Sequence, residues 1–112
     1  MSITASVERI TTITPEIVSA FEKLTPQVSS RATLPSSEEL ASIVSNPGVS
    51  LFVARITQSG EIIGAITLVI FNAIAGKRAW LQDLVVDEAS RGQGIASILL
   101  SAALNAAKEE HV

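Results

Sequence analysis

Apolar positions change their spacing along this chain, and each change marks an element. "SVERITTIT" (6–14) is rich in Thr, Ile and Val and predicts a first strand. Thr14-Pro15-Glu16 predicts a helix start, with a capping hydroxyl, a proline at the first helical position and an early acid. Ile17, Phe21 and Leu24 then share one face at i, i+4 and i+7, and Thr25-Pro26 predicts an interruption of that helix. A second start follows at "SSEEL", where Ser36 and Glu39 have capping-box spacing. Leu40, Ile43 and Val44 supply its face for burial, and "NPG" (46–48) closes it.

"VSLFVARIT" (49–57) predicts the next strand, "QSGE" a turn, and "IIGAITLVIF" (62–71) its antiparallel partner. The near-continuous apolar run from Ile62 fits a strand covered on both faces. "NAIAGKR" is expected to loop back to a strand at "AWLQDLVV" (79–86). A glycine-containing connection follows, then a helix from about Gly94. Ser97, Ser101, Asn105 and Lys108 make one polar stripe on that helix; its Ile, Leu and Ala suit packing on a sheet. The order is β-α-α-β-β-β-α. It predicts one α+β domain over 1–112, with a mostly antiparallel mixed sheet and helices on both faces.

Composition narrows the function classes. Apolar residues make up 47% of the chain and charged residues only 17%, against about 25% in an ordinary domain. This excludes disorder and suggests that some apolar surface is covered by a partner or by further chain. A net charge of −3 with scattered Lys and Arg argues against nucleic acid as a partner. With no cysteine, disulfides and thiolate metal sites are excluded, and the lone His111 stands next to the end, so no metal is expected. The longest apolar run falls short of the about 20 residues that cross a bilayer, and "MSITASVERITTIT" lacks a signal-type apolar core. No membrane association is expected, and the cytoplasm is the expected location.

The chemistry concentrates in "LVVDEASRGQGIAS" (84–97), a strand that passes through glycines into a helix. The first N–H groups of a helix lack internal acceptors, and with the helix dipole they form an anion site. Gly92 and Gly94 would let backbone approach a bulky phosphate, and Arg91 would add positive charge at the mouth. A pyrophosphate is the expected guest. No Gly-Lys-Ser/Thr follows, so a mononucleotide P-loop is excluded. Ser97 stands where a dinucleotide fingerprint needs its third glycine.

In register, Arg91, Gly94 and Ala96 resemble Arg/Gln-x-x-Gly-x-Gly/Ala, the hallmark of the GCN5-related N-acetyltransferases (GNAT). The lead-in "LQDLVVDEAS" resembles that family's fourth strand, "SILLSAALNAA" its third helix, and the element order agrees over essentially the whole chain. The resemblance implies acetyl-CoA as acyl donor. It implies pyrophosphate binding at Gly92, Gln93, Gly94, Ile95, Ala96 and Ser97 beside Arg91, and pantetheine along the backbone of Leu84, Val85 and Val86. A backbone N–H there is expected to polarise the thioester carbonyl. The acceptor would be a primary amine, on a small molecule or a peptide.

Two departures from the family pattern qualify this. Many members carry a Glu-Asp pair on the fourth strand, where this chain has Gln82-Asp83. Asp83 is therefore the candidate catalytic residue, holding a cationic amine, and strict alternation would let only one of the two face the cleft. The family's fifth strand, fourth helix and final strands have no counterpart here, and the chain has no tyrosine to protonate a leaving thiolate. The last helix ends "AAKEEHV" with no glycine or asparagine cap, as expected of a chain cut from, or descended from, something longer. Weak catalysis and a homodimer across the fourth strand's edge are expected, with a non-catalytic CoA-binding or interaction half-domain as the alternative. Trp80 is expected in the core, Lys77 and Arg78 in solvent, and Asp87 and Glu88 as surface acids before the turn.

Overall fold

The computed structural model describes residues 4–112; Met1, Ser2 and Ile3 of the polar N-terminal stretch lie outside them. The elements are β1 (Ala5–Ile10), α1 (Pro15–Val28), α2 (Ser37–Ser45), β2 (Val49–Ile56), β3 (Ile62–Ala73), β4 (Gly76–Val86) and α3 (Ile95–Glu109). The strands lie in the order β1-β2-β3-β4, and every neighbouring pair is antiparallel rather than mixed. α3 covers one face and α1 with α2 the other, as the α+β order predicts.

Local signals set most boundaries. Thr14 Oγ1 accepts the Ile17 N–H at 3.3 Å, and Ser36 with Glu39 forms the full capping box at 3.1 Å in each direction. Leu40 is buried and Val44 half-buried, whereas Ile43 is exposed and borders a cleft instead. Alternate residues of β2 serve opposite faces: Phe52 and Ala54 meet the α3 side, and Leu51 and Val53 the α1 side. On α3, Ile95, Leu99, Ala103 and Ala107 form the buried seam, and the Ser97, Ser101, Asn105, Lys108 stripe is exposed. Gly64 lets α3 come close: a Cβ there would stand 3.0 Å from the Val85 carbonyl oxygen and 3.1 Å from Leu99 Cδ1.

Four expectations need correction. Pro26 does not interrupt α1, which continues to Val28. The proline removes one donor near the end of the helix, but the last turn is held from outside. Gln27 Nε2 donates to Asp87 Oδ1 at 2.9 Å, and Gln27 Oε1 accepts the Glu88 N–H at 2.8 Å. "NAIAGKR" is not a loop: the ladder runs to Ala73 opposite Gly76, leaving Ile74-Ala75 as a tight turn that Gly76 enters at φ 121°. Trp80 lies outside the core, 60% exposed on β4, with its ring edge-on to Phe71 at 5.5 Å.

The fourth correction is the end of α3. His111 takes φ 62°, its N–H reaches the Lys108 carbonyl at 3.0 Å, and the Val112 N–H reaches Ala107 at 3.2 Å. This is the Schellman arrangement with histidine in the usual glycine place. Lys77, exposed as expected, adds a bond to the Glu110 carbonyl at 3.3 Å.

Candidate acetyl-transfer site

Three features converge on the last residues of β4. The first is a bulge. Thr67 pairs with Gln82 and Ala65 with Val85, so Asp83 and Leu84 together oppose Ile66. Asp83 takes φ 52°, a left-handed conformation that costs most L-residues about 1–2 kcal/mol and that aspartate tolerates better than most. The bulge breaks the strict alternation expected at Gln82-Asp83. Asp83 lines the cleft beside Thr67, the cross-strand partner of Gln82.

The second feature is the cleft itself, about 290 Å³, between β2–β4, the end of α1, the 29–35 segment and α2. Phe21, Val28, Leu40 and Ile43 line its helical side, Leu51, Ala65 and Val85 its floor, and Thr25, Ser29, Thr33 and Thr67 supply hydroxyls. The sequence carried no local signal for the 29–35 wall or for Thr67; only the packing assembles them.

The third feature is the glycine turn beyond Val86. A single 3₁₀ turn (Glu88–Ser90) leads to Arg91, whose Nε donates to the Val86 carbonyl at 3.0 Å. Gly92 and Gly94 take φ 79° and 80°, and nothing lies within 4 Å of where a Cβ would stand on either. Gly94 is the N-cap of α3 and, having no side chain, caps none of its first N–H groups; the first turn holds no acid. Gln93 and Ser97 are exposed, Ala96 is half-buried, and Ile95 is buried as the first core residue of α3. The donor set suits a pyrophosphate: open space at two glycines, an uncapped helix start and an adjacent guanidinium. Of the strand residues expected beside pantetheine, Leu84 is exposed, Val86 half-buried and Val85 buried. They join the bulge to the turn along what is, among the described residues, an edge of the sheet.

Asp87 was expected on the surface and is instead buried, with only 5% exposed. Oδ1 accepts from Gln27, Oδ2 lies 3.1 Å from Lys23 Nζ, and Lys23 also reaches Glu61 at 3.2 Å. The Gln27 hydrogen bond, then Lys23, hold the Asp87 carboxyl below its ordinary range, and Asp87 in turn raises the Lys23 ammonium. This cluster ties the end of α1, which walls the cleft, to the residues that open the glycine turn. A second ion-pair group fastens the start of α1: Arg55 bonds Glu16 at 2.7 and 2.8 Å and Glu8 at 2.6 Å, which lowers the Glu16 carboxyl. Among the described residues no group of three or more His, Asp or Glu could hold a metal ion. No helix there is long and apolar enough to cross a membrane.

The model of the acetyltransferase (GNAT) family matches residues 14–112. The chain belongs to that family. Solved GNAT structures share its fold. An aminoglycoside acetyltransferase from an uncultured soil metagenomic sample, in complex with trehalose, superposes with a TM-score of 0.81 at 22% identity, over 96% of this chain and 72% of that one. An acetyltransferase of Trypanosoma brucei gives 0.74 at 22% identity, over 95% and 76%. Glucosamine-6-phosphate N-acetyltransferase from Arabidopsis thaliana gives 0.75 at 19%, over 96% and 76%. No curated protein sequence matches significantly. In GNAT terms the described elements follow the family order β-α-α-β-β-β-α, with the bulge and the glycine turn at the two ends of Leu84–Val86.

Proposed function

We propose that the chain binds acetyl-CoA and passes its acetyl group to a primary amine. The single observation that carries this is the open, uncapped start of α3 behind Gly92 and Gly94, joined by Leu84–Val86 to a cleft that holds Asp83. The N–H groups of Gly92 to Ser97 hold the pyrophosphate with Arg91 beside it, and the backbone of Leu84–Val86 holds the pantetheine arm. Acetyl-CoA, when bound, supplies an activated acyl carbon. Asp83 draws the protonated amine into the cleft, and the nitrogen gives a proton to solvent before it reacts. The C–N bond then forms at the thioester carbon and the C–S bond breaks. The nitrogen's second lost proton balances the one taken up by the departing sulfur. A backbone N–H at the bulge stabilises negative charge on the carbonyl oxygen.

Addition of CoA should raise the melting temperature. Gly94→Glu should abolish that shift by placing a carboxylate where the phosphates sit; an unchanged shift would put CoA elsewhere and defeat the assignment. Turnover by this chain alone is expected to be slow. Gln82 is no base and the chain has no tyrosine, and general acid–base help is typically worth about 10²–10⁴-fold.

Those same residues favour a second reading, a CoA-binding module without turnover. Mass detection of acetylated amines, run beside the CoA shift, separates the two. The edge of β4 exposes Trp80, Leu81 and Leu84 and carries a single acid, which supports a homodimer formed through that edge. Sedimentation at low micromolar concentration should find the dimer; a monomer with fully protected amides over 81–86 would exclude it.

A further inference from the structure

The walls of the cleft narrow the acceptor, given the acetyl-transfer reading on which this step rests. Asp83 is the one charged residue among the described residues lining it, and no lysine, arginine or histidine lines it. The remaining lining is Phe, Leu, Ile, Val, Ala and Pro with a few hydroxyls. A charge held against an apolar wall finds no partner there. A polyamine could pair one ammonium with Asp83, but its other ammoniums would meet apolar side chains or reach out past the exposed rim at Val28, Thr33 and Ile43, and gain nothing in either place. A phosphorylated or carboxylated amine would bring an anion that meets no cation and lies near Asp83. The volume of about 290 Å³ is at the small end of ligand pockets, which run from about 300 to 1,000 Å³. The apolar side chains of Phe21, Leu40 and Val85 in that lining suit a ring or a short branched chain.

We propose that the acceptor is a small monoamine with an apolar body, an arylalkyl- or alkylamine, its ammonium on Asp83 and its body against the α1 and α2 side chains. Asp83 sets specificity as well as position. Its left-handed backbone makes the test clean, because asparagine tolerates φ 52° as aspartate does, so Asp83→Asn removes charge without disturbing the bulge.

The labelled chain is titrated by NMR with phenylethylamine, spermidine and phosphoethanolamine, and each amine is then incubated with acetyl-CoA under mass detection. Phenylethylamine should bind tightest and shift the amides of Thr25, Val28 and Ser29 and of Asp83 to Val85. Asp83→Asn should weaken it about tenfold, the loss of one charge-assisted bond. Ile43→Glu, at a half-open wall position on α2, should move preference toward spermidine. Equal or tighter binding of spermidine or phosphoethanolamine to the unmodified chain overturns the inference, as does binding that ignores Asp83→Asn or the absence of binding by any of the three. If phenylethylamine binds through Asp83 and is never acetylated, the selectivity of the cleft for an apolar monoamine stands and the transfer reading falls. If spermidine or phosphoethanolamine is the amine acetylated, the transfer reading stands and the acceptor inference falls.

Discussion

The two faces of the sheet are built to opposite ends. On the α3 face, Leu99 and Ala103 have no exposed surface, and Gly64 removes a side chain so that helix and sheet close together. On the α1 and α2 face, Leu24, Ile17 and Leu40 are buried nearly as deeply, and Leu24 and Ile17 share a core cluster with Val53, Ile62 and Val85. Phe21, Val28, Leu40 and Ile43 border the cleft opposite Leu51, Ala65 and Val85. Each face of the same strands thus has a buried cluster and a recess of about 290 Å³, but the recess on the α1 and α2 face is mostly apolar and holds Asp83, whereas the one beside the end of α3 is bordered by Arg9, Lys77, Glu109 and Glu110. The difference lies in chemistry rather than in packing: the bulge puts Asp83 beside an apolar cleft on the two-helix face, where the acceptor is proposed to bind, while the packing of α3 is closest at Gly64 and Leu99.

The largest effect should come from emptying the packed face. Leu99→Ala should cost about 2–5 kcal/mol in chemical denaturation, because a side chain with no exposure leaves a cavity that a strand and helix in such contact cannot fill. Ile43→Ala, on the rim of the cleft, should cost under about 1 kcal/mol and act on ligand binding instead. Similar losses at the two sites would erase the contrast between the α3 seam and the cleft.

The Asp87 cluster comes next, since it joins the cleft wall to the glycine turn. Asp87→Ala should cost about 1.5–3 kcal/mol, the worth of hydrogen bonds to a charged group, and should loosen the last turn of α1 past Pro26. The pH dependence has a definite sign. The folded-state carboxyl of Asp87 lies below its ordinary value, so its stabilisation is full above that value and is lost as pH falls through the lower one. Acid unfolding should therefore lose part of its pH dependence in Asp87→Asn, below about pH 4 and not near neutrality. A variant with an unaltered acid limb would mean that Asp87 is not held as the geometry has it.

How much of this was legible follows the range of each interaction. Thr14, Ser36 and Glu39 act within one turn of their own helix, and both helix starts could be read directly. The α3 seam follows a 3.6-residue period and was equally plain. So was the glycine turn, because positive φ and an uncapped helix start leave a mark in adjacent residues. Pro26 misled because its tolerance depends on Gln27 meeting Asp87, sixty residues away. Trp80 misled because a large aromatic residue looks like core unless the strand is known to be an edge. The bulge at Asp83 depends on the register of β3 against β4, which no local pattern of "LQDLVV" encodes. His111 gave no glycine signal, yet it adopts the glycine conformation.

A smaller effect separates strain from space at the turn. Gly94→Ala should cost about 1–2 kcal/mol through φ 80° alone, since nothing lies near its Cβ, and should keep most of the CoA shift that Gly94→Glu loses. If alanine abolished the shift as completely as glutamate, the backbone conformation and not the open space would be what receives the phosphates.

The smallest effect belongs to the far end of the packed face. His111 closes α3 at φ 62°, where histidine is found more often than most side chains but glycine is freer still. His111→Gly removes the Cβ strain and keeps both terminal hydrogen bonds, to Lys108 and Ala107. Against this, glycine gains freedom in the unfolded chain, and that entropy offsets part of the relief. The net should be a stabilisation of a few tenths to about 1 kcal/mol, seen as a small rise in denaturation midpoint with an unchanged slope. CoA binding at the opposite end of the helix should not move. A clear loss of stability would mean that the histidine side chain itself holds the last turn, and that the packed face depends on a contact beyond its Schellman closure.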